Sequence, residues 1–146
     1  MGGERRVTGA TRRARQMMLG GLALGHLAGV AVMGWAWVRD GGDGLLTAAL
    51  GFAAVVIFFS IGQALEVVAC ELDPMQGLAL AMASYGVRVV GIAAGLWFVL
   101  TLPAVEPHLV LGWLAASVTG TVLAWVAGVV LVASRQRVPV YDRDDV

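Results

Sequence analysis

Polar side chains of a kind that could carry chemistry interrupt two apolar stretches of this 146-residue chain: Ser60, Gln63 and Glu66 in one, Ser84 and Arg88 in the next. Catalysis needs converging groups, such as a nucleophile beside a base, a metal with its ligands, or two carboxylates. None of these patterns is present. There is no HExxH, no CxxC and no glycine-rich phosphate loop. The single cysteine, Cys70, excludes an internal disulfide and a multi-cysteine metal cluster. Hydroxyls inside apolar helices ordinarily bond back to their own helix, and His26 reads as a hydrogen-bonded packing residue. The expectation is therefore a protein that is not an enzyme and holds no metal or cofactor. The arginine-rich start is short and lacks interleaved aromatics, so no nucleic-acid partner is expected either.

Arg88 is the costly member of the set. An arginine at the centre of a membrane helix costs roughly 2.5–3.5 kcal/mol on insertion scales, so it needs a partner or a role. Gly77, Ala81, Ser84, Arg88, Gly91 and Gly95 recur at steps of three and four, which places them on one helical face. Small residues on that face admit another helix closely. Side chains tilt toward the helix N-terminus, which carries the guanidinium toward Gln63 or Ser60 on the preceding span. Contact with Glu66 requires the helix to slide outward or to begin late. Three roles stay open: an internal anchor bonded to Gln63, Ser60 or Glu66, a site for a partner's acidic group, or a charge lining an ion path.

The elements that must position these residues follow from composition. Hydrophobic residues make up 59% of the chain and charged residues 14%, against about 45–50% and 25% in a soluble domain. An all-α, four-helix transmembrane bundle is expected, with spans at about 17–38, 45–69, 75–102 and 108–133. Residues 1–16 form a cytosolic arm with five arginines, and residues 135–146 a cytosolic tail. About 20 apolar residues cross a bilayer core. The Arg39–Gly44 segment reads as a tight turn with Asp43 capping the second span. Asp73-Pro74 and Glu106-Pro107 read as cap and first turn of the third and fourth spans. Arginine is concentrated at the two ends of the chain, so both termini are expected in the cytosol.

Glycines recur every four residues: Gly21, Gly25 and Gly29 in the first span, Gly91 and Gly95 in the third, and Gly112, Gly120 and Gly128 in the fourth, the last ridge continued by Ala116 and Ala124. Such ridges mostly mean packing within one chain. Contact with a foreign helix or a second copy is a further use. Membrane lipids are expected partners throughout.

The four-span, both-ends-in plan, the segment DPMQGLALAMASYGVRVVGIAAGLWF, the VIFFSIGQ of the second span and the RQRVPVYD of the tail resemble the ATP synthase protein I family of the actinobacterial type. That family tends to carry a basic residue in its third span, which Arg88 matches. The resemblance implies an accessory role in which the ring of c subunits forms or joins the rest of the F-type ATP synthase membrane sector. The family has also been linked to magnesium or calcium transport. This chain is poor in intramembrane acids, which speaks against that alternative, as against an unrelated structural role only its partners could.

Overall fold

The computed structural model describes residues 9–69 and 72–136, with side chains from residue 12 onward. The arginines at 5, 6, 137 and 143, Cys70, and most of the expected tail lie outside the described residues. All the regular secondary structure among the described residues is helical. Helix α1 runs Gly9–Ala69, α2 runs Pro74–Leu100 and α3 runs Leu111–Arg135, with a single 3-10 turn, Glu106–His108, before α3. All three helices are long and apolar enough to cross a membrane.

The first two expected spans are joined in α1. At 1.5 Å per residue, 61 residues would make a rod of about 90 Å, three times a bilayer core. The rod is broken at Gly41, whose φ of 61° and ψ of −137° interrupt the helical dihedrals. Only glycine takes that conformation readily. The two arms on either side touch. A Cβ on Gly44 would lie 2.6 Å from the Ala36 carbonyl oxygen, and the Phe52 ring sits in the notch at Gly29. The His26 ring meets the Phe52 ring edge-on at 5.2 Å, while His26 Nδ1 bonds the Leu22 carbonyl at 2.7 Å. The expected six-residue turn is thus compressed to one non-helical residue. Asp43 is correspondingly a helical residue and not the cap of a second span.

Two further boundaries differ from expectation. Glu106, Pro107 and His108 form the separate 3-10 turn, and α3 starts at Leu111 instead of about 108. The cause lies in α1: the Thr47 hydroxyl donates to the His108 carbonyl at 3.2 Å and accepts from the Val110 amide at 3.1 Å. That clamp holds the connection short of helical form. Asp73 occupies the cap position of α2 and Pro74 its first turn, but the Asp73 side chain makes no cap bond.

The glycine ridges seat large side chains more than they bring backbones together. Trp125 of α3, 1% exposed, lies in the notch formed by Gly21 and Gly25. Cβ atoms there would stand 2.7 Å from Trp125 Cδ1 and 2.8 Å from its Cε3. Phe58 fills the notch of Gly91 and Gly95. The exception is Gly128, where a Cβ would lie 2.9 Å from the Gly21 Cα, so the α1 and α3 backbones meet. The expected α3 ridge is corrected at its outer end. Gly112 is exposed and has nothing within 4 Å, and Gly120 makes only an ordinary contact, 3.7 Å, with Val32. The stripe that α3 does bury is Leu114, Ser117, Thr121, Trp125 and Gly128. It is offset from the glycine ridge because Trp125 chooses the face.

Candidate functional site

Helix α2 lies against the second arm of α1, with Gly77 at Ala69, Arg88 at Gly62, and Gly91 and Gly95 at Phe58. A flush pairing across the short connection would set Pro74 opposite Ala69. Instead the first turn of α2 overhangs the end of α1. This offset is the outward slide that contact with Glu66 required, and it lowers Arg88 toward that residue.

Arg88 is admitted by a glycine. A Cβ on Gly62 would lie 2.8 Å from Arg88 Cγ and collide with its Nε. The stem therefore crosses the arm where the side chain is missing and runs on to Glu66. Arg88 Nη2 donates to Glu66 Oε1 at 2.7 Å. The Ser84 hydroxyl donates to the same oxygen at 3.2 Å and lies 2.8 Å from the Ala81 carbonyl of its own helix. The guanidinium carbon stands 5.3 Å from the centre of the Phe59 ring, a cation–π contact. Arg88 is 15% exposed and Glu66 38%. The pair thus converts a lone buried cation into a neutral unit.

Not all of the polarity is spent. Among the described residues, Arg88 Nε and Gln63 Oε1 are buried without a hydrogen-bond partner. Gln63, expected beside Arg88, does not bond it, and neither does Ser60, which is half-buried nearby. A buried donor or acceptor left unpaired costs about 1–3 kcal/mol. Gly62 and Phe59 are the members of this site that the sequence reading missed. The signal available for Gly62 was its helical spacing with Glu66 and Phe59.

Cavities flank the pair. Above Arg88, a groove of about 340 Å³ between α2 and α3 is floored by Phe59 and Arg88 and walled by Val89, Ile92 and Val126. Below it, Glu66 faces a cavity of about 230 Å³ between the two arms of α1 and α3. On its other side Glu66, Gly77 and Ala81 line a shallower recess.

A second polar cluster ties the opposite end of the molecule. Thr47 is fully buried, and its hydroxyl also lies 2.8 Å from the Asp43 carbonyl, so its one proton is shared between that oxygen and the His108 carbonyl. His108 Nδ1 lies 2.9 Å from the Asp43 carboxylate, and Trp113 Nε1 donates to the Asp40 carboxylate. Ser117 donates to the Ala48 carbonyl at 2.6 Å, across to α1 instead of back to its own helix. These contacts join α1 to α3 and are structural.

Among the described residues no group of three or more His, Cys, Asp or Glu side chains is placed to hold a metal ion. The arrangement at Arg88 is a charge pair in largely apolar surroundings, flanked by cavities. Compared with protein-family models, curated proteins and solved structures, the chain matches none.

Proposed function

We propose that this chain is a non-enzymatic, four-pass membrane protein that helps assemble a larger membrane complex, with α2 as the element that meets its partner. Each arm of α1 makes one pass and α2 and α3 one each. Arg12, Arg13, Arg15 and Arg135 gather at one end of the bundle, which supports a cytosolic placement of both termini in a bacterial plasma membrane. The observation that carries the reading is how little of α2 is used internally. It buries only Ser84, and Met82, Tyr85, Val89, Val90, Trp97 and Phe98 are exposed. Beside that free face runs the groove floored by Arg88.

The partner suggested by the sequence resemblance is the membrane sector of an F-type ATP synthase, with its c subunits as the nearest candidates. Replacing Arg88 by Leu should lower the yield of assembled c ring several-fold in cells while the chain still inserts. The check is a native gel of membranes beside an immunoblot of the inserted protein. Capture of the chain in mild detergent without any ATP synthase subunit rejects this partner.

A small oligomeric transporter of magnesium or calcium is the second reading. The pairing of Glu66 with Arg88 favours it in one respect, since it removes an unpaired positive charge that would repel cations. Liposomes bearing the purified protein and showing no ion flux under an imposed gradient would exclude it.

A further inference from the structure

The groove between α2 and α3 reaches the one arginine held in the middle of a helix. Both helices rest on α1 and have little contact with each other. Two polar side chains of α2, Tyr85 and Arg88, line the space between them, one turn apart on the same side. Of the Arg88 nitrogens, Nη2 is held by Glu66, and Nε is buried with no accessible surface. Nη1 makes no hydrogen bond among the described residues and is not sealed off as Nε is, so it keeps open surface. The groove is the cavity that Arg88 lines. Tyr85 is 66% exposed, and its hydroxyl has no partner among the described residues.

These two groups fix the chemistry of an occupant. A guanidinium only donates, and a phenol is a ready donor, so the occupant must bring acceptors. Glu66 already neutralises Arg88. A second anion would be an unbalanced charge in apolar surroundings, so the acceptors are neutral. Depth narrows the choice further. Arg88 lies at the middle of α2, about 20 Å from either end. On the membrane placement proposed above, that is near the centre of a hydrocarbon core about 30 Å thick. The ester oxygens of a phospholipid stay at the headgroup boundary. Its methylenes alone reach this depth, and they would leave both donors unpaired. A partner helix has its backbone carbonyls bonded within itself. A conjugated diketone ring on a hydrocarbon tail both dissolves in the core and carries neutral acceptors there.

We propose that the groove between α2 and α3 binds the ring of a membrane-dissolved quinone, with Arg88 Nη1 and the Tyr85 hydroxyl donating to its carbonyl oxygens. The space, about 340 Å³, lies within the range of roughly 300–1,000 Å³ for small-molecule sites. Its floor is set in advance: the Phe59 ring is held edge-on against Trp125, 5.6 Å between centres, and under the Arg88 guanidinium. Val89 and Val126 at the rim are each about half exposed, so the groove opens toward lipid and the tail of the ligand can stay in the bilayer. The inference uses the membrane placement and is independent of the assembly role.

The test is ligand retention by the purified full-length chain in native mass spectrometry. The probes are a 2-methyl-1,4-naphthoquinone with an isoprenoid tail and its hydrocarbon counterpart, the same tail on a naphthalene without oxygens. The quinone should be retained at least tenfold over the hydrocarbon, about the worth of one hydrogen bond to a charged group. Tyr85→Phe keeps the ring and removes one donor, and should lower that preference several-fold. Val126→Trp fills the groove from α3 without touching the Arg88–Glu66 pair, and should abolish retention of the quinone. Equal retention of the two probes overturns the inference and leaves the groove to lipid tails or to a partner's side chain. An undiminished preference in either variant overturns it too. Should Val126→Trp fail to fold, Tyr85→Phe and the two-probe comparison still decide. Retention is measured without any partner, so its failure is separate from failure of the assembly role.

Discussion

Helices α2 and α3 have nearly the same length, 27 and 25 residues, and both are apolar enough to cross a membrane. They are nevertheless used in opposite ways. Helix α3 buries five residues against α1, centred on Trp125 in its glycine notch, and its start is clamped by Thr47. Helix α2 buries Ser84 alone and is held by Phe58 in the notch of Gly91 and Gly95 and by the Arg88–Glu66 pair. In a bilayer apolar burial gives little drive between helices, because lipid is as apolar as Leu. What separates the halves is shape and polarity: a tryptophan locked in a fitted slot against a charge pair beside open grooves. The tightly fitted half reads as scaffold and the loosely fitted half as working surface.

Substitutions at three places would break or sharpen this contrast. The largest effect is expected for Trp125→Ala, which empties the slot at Gly21 and Gly25. It should cost about 3–5 kcal/mol, seen as a fall in the thermal unfolding midpoint of the detergent-solubilised protein. A loss no greater than that of a lipid-facing control such as Val90→Ala would contradict a scaffold centred on α3. Next comes the charge pair. Glu66→Leu alone leaves Arg88 buried without its partner and should cost about 2–3 kcal/mol, reduced from the range for fully buried pairs because Glu66 is partly exposed. Adding Arg88→Leu should recover most of that loss. A double-mutant cycle with no coupling would mean that the two side chains do not depend on each other. The smallest effect is expected within the expected glycine ridge of α3. Gly112→Ala should stay within about 0.5 kcal/mol, since nothing stands near it, whereas Gly128→Ala should lower the unfolding midpoint measurably because a Cβ there meets the α1 backbone.

Much of the site was legible in the sequence because its cost is local. An arginine amid apolar residues announces a partner, and Ser84 shares its helical face whatever surrounds it. Which partner Arg88 takes was not legible, because that depends on the offset between two helices. A slide of a few residues exchanges Gln63 for Glu66, and the offset is set by Phe58 seating against Gly91 and Gly95 and by the overhang at Gly77. The unpartnered acceptor of Gln63 is equally a product of that register. Trp125 shows the same limit from the other side. A tryptophan in the middle of an apolar helix suits packing and lipid equally, and only the facing notch resolves them.

Hydrophobic length and helical spacing along the chain determined an all-helical protein with segments able to cross a membrane, the approximate extent of those segments, and the need to accommodate Arg88. Such properties sum over neighbours in sequence, so one chain suffices to state them. The tertiary structure alone decided that Gly41 carries the reversal of α1, that Thr47 delays the start of α3, that the glycines hold Trp125, Phe58 and Arg88, and that the guanidinium rests on Glu66. These depend on which side chain fills which gap between helices, a matter of steric fit over a few ångströms that no periodicity records.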